Sequence, residues 1–192
     1  MIPHSILVVG SFVQDLTFST QRFPAPGETV VGQFLTGPGG KGSNQAVAAR
    51  RAGGAVTFVG AVGRDTFAQS VREFYKSEEI EAILPEYPDS STGTAGILCD
   101  QSGQNEIVVA LGANERLAPA DIPDSLIEGR EIVVCQLECN LEAVESVLRR
   151  ASAPTTTRIL NPAPLRKEAS TDLFQHCDIL IPNETEFLGI LD

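Results

Sequence analysis

Two kinds of segment alternate along the chain. Four-residue runs with an apolar centre are typical of strands buried on both faces of a parallel sheet, and they lie at residues 6–9, 56–59, 132–135, 158–161 and 178–181. Helix-like segments lie between them, at residues 44–52, 66–77 and 141–152. The alternation predicts an α/β fold with a mainly parallel sheet, flanking helices and crossover connections between the strands.

Two stretches break this rhythm, within about residues 16–38 and 93–111. The first is rich in proline and glycine around the short run Glu28–Val31. The second contains two strand-like runs around Asp100–Gln104, a pattern typical of a hairpin. We expect either a small second sheet standing off the main layer, a candidate lid or dimer surface, or ordinary edge strands of the main sheet. The pattern leaves both possibilities open.

Size and composition indicate one folded domain. The chain has 192 residues, against roughly 150 for a typical domain. Apolar residues make up 42% and charged residues 20%, which excludes a disordered or low-complexity chain. No apolar run approaches the roughly 18 residues that a membrane span needs. Residues 1–5 contain no lysine or arginine, so we expect no secretory signal and a cytosolic location.

The charge balance narrows the class of partner. Lysine and arginine total 14 against 25 aspartate and glutamate, a formal net charge of -11. We expect no nonspecific binding of nucleic acid, because the phosphate backbone requires a basic surface. A single anionic small molecule remains compatible with this charge, since local donors act at short range.

The four cysteines leave one metal alternative open. Cys135 and Cys139, together with the distant His176 and Cys177, could in principle hold a zinc ion, although structural zinc sites usually use closer pairs. We favour free thiols in apolar strands of a reducing compartment.

The glycine-rich stretch Gly37–Gln45 is the most informative part of the sequence. Its four glycines allow the backbone to approach a ligand closely, and we expect a helix to begin at about Asn44 with its positive end facing that ligand. It is not a P-loop, because Gly42 rather than serine or threonine follows Lys41. A dinucleotide site and a plain turn with a helix cap remain open, although the stretch does not follow the first buried strand.

Polar residues follow several predicted strands at their carboxyl ends, in the stretches 10–15, 136–138, 161–164 and 183–186. In an open parallel sheet these ends lie along one edge, where ligands bind. Asp15, Asn44 and Glu138 suit a polyhydroxylated ligand, because each can exchange hydrogen bonds with hydroxyl groups. Lys41 would add a charged donor.

Together these motifs identify a resemblance. Gly39–Ala46 resembles the first signature of the PfkB family of carbohydrate kinases, and its lysine is typical of the ribose-phosphorylating members. Further stretches fall in the family's order and spacing over essentially the whole chain, namely 26–29, 112–114, 136–138, 161–164 and 182–186. The resemblance implies ATP-dependent transfer of phosphate to the 5-hydroxyl of D-ribose.

The resemblance also implies roles for individual residues. It puts a set of residues at the sugar, namely Val13, Gln14, Asp15, Gly40, Lys41, Gly42, Ser43, Asn44 and Glu138. It puts Asn183 near the ATP phosphates and Glu186 near Mg²⁺, and it implies lid strands that cover the sugar and pair in a homodimer. The family often has asparagine where this chain has Val13, so one sugar hydrogen bond is missing or comes from the backbone.

Several of these residues also have structural interpretations. Asn183 with Glu186 fits a helix cap, which is compatible with a phosphate role. Asp15 could form a turn, and Glu138 could be a solvated carboxylate at a strand end. For Asn161, before a proline, we favour a turn-shaping role.

The family's proton-accepting aspartate lies in a Gly-Ala-Gly-Asp motif, which the sequence lacks; the nearest string is Gly63-Arg64-Asp65. By the resemblance, that aspartate, most of the adenine pocket and a K⁺ site would lie beyond residue 192. We therefore expect the sugar-binding half of a longer kinase, inactive alone. The alternatives are a non-catalytic sugar-binding or dimerising fragment and a dinucleotide-dependent enzyme.

Overall fold

Strands and helices alternate through the computed structural model, which describes residues 4–191. The strands are β1 (Ser5–Val9), β2 (Val13–Ser19), β3 (Gln33–Gly39), β4 (Ala55–Val59), β5 (Val62–Gly63), β6 (Glu81–Ile83), β7 (Glu86–Tyr87), β8 (Thr94–Cys99), β9 (Asn105–Ala110), β10 (Ile132–Gln136), β11 (Thr157–Asn161) and β12 (Ile179–Leu180). The α-helices are α1 (Lys41–Arg51), α2 (Thr66–Ser77), α3 (Asp124–Ile127), α4 (Leu141–Arg150), α5 (Thr171–Gln175) and α6 (Glu184–Leu191).

The main sheet has six strands in the order β12-β11-β10-β1-β4-β6, and every pairing in it is parallel. Strand β1 lies at its centre, and both of its faces are buried. Leu7 and Val9 pack in one core cluster with α4, while Val8 packs in the other with α1 and α2. The predicted α/β class and parallel sheet are confirmed.

Strands β3, β2, β8 and β9 form a separate four-stranded sheet, called the second sheet below. Strand β2 pairs antiparallel with β3 and parallel with β8, and β8 and β9 form the predicted hairpin. The alternative in which these segments are edge strands of the main sheet is therefore wrong.

Two details of this region differ from the prediction. The polar stretch 10–15 after β1 is only in part a connection, because Val13 begins strand β2. The expected strand Glu28–Val31 is absent from the described chain, and β3 begins only at Gln33. The reason is local: Arg22 donates to Glu28 Oε2 at 2.7 Å and the Ala25 N–H donates to the same oxygen at 2.9 Å, so residues 22–28 fold into a turn.

The helices agree with the predicted spans to within three residues at each end. Helix α2 has the predicted limits. Helix α4 begins at the predicted Leu141, where Asn140 Oδ1 accepts from the Glu142 N–H at 2.9 Å, and ends at Arg150 rather than at residue 152. Helix α1 begins at Lys41 rather than at Asn44. The two glycines at 40 and 42 suggested a loop, but they are the residues that let the first turn pack against the end of β1.

Candidate functional site

A cavity of about 220 Å³ lies between the carboxyl edge of the main sheet and the second sheet. Six of the predicted sugar-site residues line it, namely Val13, Asp15, Gly40, Lys41, Asn44 and Glu138. The remaining wall is apolar and comes from the β8–β9 hairpin, through Ala95, Ile97, Ile107 and Val109. The cavity thus has one polar side and one apolar side.

Glu138 is the centre of the polar side. Its Oε2 accepts from the Ser11 hydroxyl at 2.5 Å and from the Lys41 backbone N–H at 2.8 Å. Its Oε1 lies 3.7 Å from the Lys41 ammonium nitrogen. Because Glu138 is buried, the interpretation as a solvated carboxylate is wrong. The side chain fixes both the start of α1 and the end of β1.

The glycine-rich loop brings the start of α1 close to the β1–β2 connection. Gly40 has φ +91°, and a Cβ there would lie 2.7 Å from the Val13 nitrogen. A Cβ at Gly42 would lie 2.7 Å from the Ser11 nitrogen. Two backbone segments therefore meet at distances that only glycine allows.

Asp15 faces the cavity from strand β2, so the interpretation as a turn former is wrong. Burial raises the pKa of its carboxyl group, and the nearby charge of Glu138 raises it further. Two carboxylates, one ammonium and the Asn44 amide therefore share the cavity. Such a set exchanges hydrogen bonds with a neutral polyol, whereas the two carboxylates would repel a free anion.

The structural context does not favour a dinucleotide site. The glycine-rich stretch Gly37–Gln45 forms the end of β3 in the second sheet and the start of α1, whereas the fingerprint belongs after a buried first strand. The backbone N–H groups of Lys41 and Ser43 donate to Glu138 and to the Ser11 carbonyl. These two donors of the first turn are thus used within the protein.

Three predicted sugar-site residues do not line the cavity. Gln14 lies on the opposite face of β2, where its Nε2 donates to Thr36 Oγ1 at 2.7 Å and to the Gly37 carbonyl at 2.9 Å. Gly42 and Ser43 are buried in the first turn of α1. Their place is the contact between α1 and the end of β1.

Asn183 and Glu186 form a reciprocal cap at the start of α6, apart from the cavity. Asn183 Oδ1 accepts from the Glu186 N–H at 2.8 Å, and Glu186 Oε2 accepts from the Asn183 N–H at 2.9 Å. Glu186 is buried. The helix-cap interpretation is confirmed, while the phosphate and Mg²⁺ roles stay predictions.

Sequence reasoning missed two residues that shape the site. Ser11, immediately after β1, binds Glu138 through its hydroxyl group. Asn114 is buried and binds both backbone groups of Phe12, accepting from the N–H at 3.2 Å and donating to the carbonyl at 2.8 Å. The sequence signals for them were a serine just after a predicted strand and the motif Gly112–Asn114, and neither pattern indicates a role by itself.

Asp65 and the buried cysteines have structural roles. Asp65 caps α2, accepting from the Ala68 N–H at 3.0 Å. Cys135 and Cys139 are buried free thiols, and burial raises the pKa of Cys139 to about 12. Across residues 4–191, no group of three or more metal-ligating side chains lies close enough together to hold an ion. In the same part of the chain, every helix is too short or too polar to span a bilayer.

Known sequences match nearly all of the chain. The profile described as pfkB family carbohydrate kinase matches residues 3–192. Bacillus subtilis ribokinase is 38% identical over 186 residues, covering 95% of this chain and 63% of that protein. Salmonella typhi deoxyribokinase is 36% identical over 185 residues, covering 94% of this chain and 60% of that protein.

Solved structures match the fold as well. Giardia lamblia ribokinase superposes with a TM-score of 0.91 at 35% identity, covering 98% of this chain and 59% of that one. Arabidopsis thaliana ribokinase complexed with ribose and ATP superposes with a TM-score of 0.80 at 27% identity, covering 97% and 62%. The chain spans about 60% of the length of these proteins.

Proposed function

Since the chain belongs to the pfkB family of carbohydrate kinases, we propose that it forms the sugar-binding part of an enzyme that transfers phosphate from ATP to the 5-hydroxyl of D-ribose. The observation that carries the proposal is the convergence of Asp15, Lys41, Asn44 and Glu138 on one cavity of about 220 Å³. The names of the relatives support it, as does the ribose and ATP complex of the Arabidopsis protein.

Each side chain has a distinct part in holding the sugar. The carboxylates of Asp15 and Glu138 accept hydrogen bonds from sugar hydroxyls, and the Lys41 ammonium donates one while offsetting their charge. Asn44 can do both. The β8–β9 hairpin excludes water from the other side of the ring. Holding the acceptor hydroxyl in one orientation removes much of the entropic cost of phosphoryl transfer.

ATP is the proposed co-substrate, with Mg²⁺ shielding the charge of its phosphates. Asn183 and Glu186 are the proposed contacts on that side. A single buried carboxylate fits this ion, because Mg²⁺ usually keeps several waters and takes only one or two protein carboxylates alongside phosphate oxygens. Both Glu186 oxygens accept from Asn183, which orients the carboxylate at the start of α6.

We propose that the proton-accepting aspartate, the adenine pocket and the K⁺ site lie outside these 192 residues. The absence of a Gly-Ala-Gly-Asp string supports this, as does the share of about 60% that the chain makes up of its relatives. Several apolar side chains in and just after the last strand and in the last helix are exposed and would be covered by further sheet and helix, namely Ile179, Ile181, Phe187, Leu188 and Leu191.

Calorimetry and a coupled ADP-release assay test this function together. The purified chain should bind D-ribose without turning it over, and Lys41→Ala should weaken binding at least about 10-fold, as expected for loss of a charged donor. Lys76→Ala, at an exposed position of α2, is the matched control. No heat of binding from a folded chain would contradict the sugar site, and turnover of about 1 s⁻¹ or more would contradict the inactive fragment.

A 2-deoxypentose is a second candidate substrate, favoured by Val13. This side chain lines the cavity and offers no polar atom to a sugar hydroxyl, beside the apolar wall of β8 and β9. The likeness to a deoxyribokinase supports the same candidate. Val13→Asn should improve binding of D-ribose relative to 2-deoxyribose about 10-fold or more. If the unmodified chain already binds ribose 10-fold more tightly than 2-deoxyribose, the deoxypentose candidate fails.

A homodimer through the second sheet is the proposed assembly. Side chains alternate between the faces of a strand, so Phe18, Phe34 and Val108 share the face that points away from the cavity. All three are exposed, and the two phenyl rings lie 5.1 Å apart. An exposed apolar face on a single layer of strands favours a second copy as its cover.

A cytosolic location stays a prediction.

A further inference from the structure

Three side-chain amides form a continuous chain along the carboxyl edge of the main sheet, outside the cavity. Gln136 Nε2 donates to Gln45 Oε1 at 2.6 Å. Gln45 Nε2 donates to Asn161 Oδ1 at 3.4 Å, and Asn161 Nδ2 donates to the Ile181 carbonyl at 2.7 Å. This series, called the amide chain below, connects β10, α1 and β11 with the residue that follows β12.

The direction of the amide chain is set at its Ile181 end. A backbone carbonyl can only accept, so Asn161 must present its NH₂ group there and its oxygen to Gln45. Gln45 then presents its oxygen to the Gln136 NH₂ group, so the Gln136 oxygen takes no part in the amide chain. That oxygen has no hydrogen-bond partner among residues 4–191, although Gln136 is 0% exposed. The Ile181 contact therefore fixes the orientation of all three amides.

Two members of the amide chain lie beside the two halves of the proposed reaction. Gln45 is adjacent to Asn44 and one helical turn beyond Lys41, both of which line the sugar cavity. Ile181 immediately precedes the loop 182–186, in which Asn183 and Glu186 cap α6. No other described side chain of α1 reaches β11 by a hydrogen bond.

We propose that Gln45 is a positioning residue that couples the sugar cavity to the loop 182–186, so that sugar bound against α1 orders that loop. The proposal rests on the sugar-binding function proposed above. The sugar restrains α1 through Lys41 and Asn44, and the amide chain passes this restraint to the Ile181 carbonyl. A link through hydrogen bonds of fixed direction requires no movement of the main sheet.

Hydrogen exchange followed by mass spectrometry on the whole 192-residue chain tests the coupling. Without ligand, Gln45→Met should speed exchange at residues 181–187 by at least about 5-fold, because it removes the Gln45 acceptor and donor. Gln45→Glu keeps the acceptor for Gln136 and loses the donor to Asn161, so it should have the same effect on the loop. Gln69→Met, at an exposed position of α2, is the matched control and should change nothing there.

Hydrogen exchange measured with and without D-ribose distinguishes a positioning role of Gln45 from a general effect on stability. D-ribose should slow exchange at residues 181–187 about 5-fold in the unmodified chain and not in Gln45→Met. The Kd for ribose should stay within about 3-fold in that variant, since Gln45 does not line the cavity. Exchange at residues 55–59 in β4 should be the same in both, which a global loss of stability would not allow.

The measurements with ribose and those without it can each overturn the proposal. Equal protection of residues 181–187 by ribose in the unmodified chain and in Gln45→Met would overturn the coupling and leave the sugar site intact. Unchanged exchange in ligand-free Gln45→Met would overturn the link itself. If the unmodified chain binds no ribose, the proposed function fails and the coupling to sugar fails with it, whereas faster exchange in ligand-free Gln45→Met would still support the link.

Discussion

Among single residues, Glu138 combines a structural role with a proposed binding role. Its carboxylate accepts from the Ser11 hydroxyl and the Lys41 N–H, and it pairs with the Lys41 ammonium. A buried carboxylate needs several such partners to offset its loss of hydration. The same charge faces the cavity, so the group that holds α1 against β1 is also positioned to accept a hydroxyl hydrogen bond.

Glu138→Gln removes the charge of this side chain while keeping nearly the same shape. The Ser11 hydroxyl and the Lys41 N–H both donate to Oε2, so the amide oxygen can keep both partners. These bonds lose the charge of their acceptor, however, and an NH₂ group replaces Oε1 beside the Lys41 ammonium, so we expect the free energy of unfolding to fall by about 1–3 kcal/mol. Ribose affinity should fall at least about 10-fold. Denaturant unfolding and calorimetry measure the two effects. Glu73→Gln, exposed within α2, should change stability by less than about 0.5 kcal/mol. Equal stability of the two variants would contradict this role.

Asp15 should show a conflict between stability and binding. Burial and the charge of Glu138 raise its pKa above the usual 3.8, so the folded state binds this proton more tightly than the unfolded state. The ionised group therefore destabilises the fold increasingly as the pH rises from 3.8 through the raised pKa. Asp15→Asn should be the more stable protein at pH 7, with an advantage that disappears at or below about pH 3.8.

The same Asp15→Asn substitution should weaken ribose binding about 10- to 100-fold, as loss of charge-assisted hydrogen bonds does. Thermal unfolding of both proteins between pH 3 and 7 gives the difference in stability, in which the other titrating groups cancel. A difference that does not vary with pH would contradict the cause assigned to the shift, while unchanged ribose affinity would contradict contact with the sugar.

Among the elements, the loop into α1 depends on backbone geometry more than on side chains. Gly40 combines φ +91° with ψ 138°, a conformation that is almost restricted to glycine. Its Cα approaches the β1–β2 connection so closely that an added methyl group has no space. The position of Lys41 and Asn44 in the cavity follows from this approach.

Gly40→Ala should lower the free energy of unfolding by about 2–3 kcal/mol, since it adds backbone strain and a clash with the Val13 nitrogen. It should also abolish ribose binding, because the start of α1 moves away from Asp15. Gly37→Ala, in the neighbouring strand β3, is the matched control: a Cβ there has nothing within 4 Å. Urea unfolding checks both, and a Gly40→Ala protein as stable as the control would refute the argument.

The elements of the main sheet could be predicted, and those of the second sheet only in part. The apolar centres of β1, β4 and β10 indicated burial on both faces, and the structure agrees within one residue at each end. Strand β3 contains Gly37, Pro38 and Gly39, residue types that are rare in strands. Pro38 is tolerated because β3 is an edge strand, a position that depends on pairings distant in sequence.

For the molecule as a whole, the residues on the polar side of the site were predictable, whereas for the apolar side the sequence indicated lid strands but not which residues face the cavity. Parallel strands put their carboxyl ends on one edge, which brought Asp15 and Glu138 together from sequence alone. Ile97 and Val109 enter the cavity because β8 pairs with β2, and no local pattern reveals that pairing. The amide chain depends in the same way on contacts between residues far apart in sequence.

The last prediction concerns the homodimer proposed through the second sheet. Val108 lies on the outward face of the second sheet with 77% of its surface exposed, on the same face as Phe18 and Phe34. In a two-fold dimer each copy contributes this residue, so Val108→Lys removes its burial twice. At about 1.5 kcal/mol or more per buried valine, dimerisation should weaken by at least about 100-fold. Sedimentation equilibrium measures the change. Val31→Lys, exposed outside the strands, should dimerise normally, and equal association of the two variants would exclude this face as the interface.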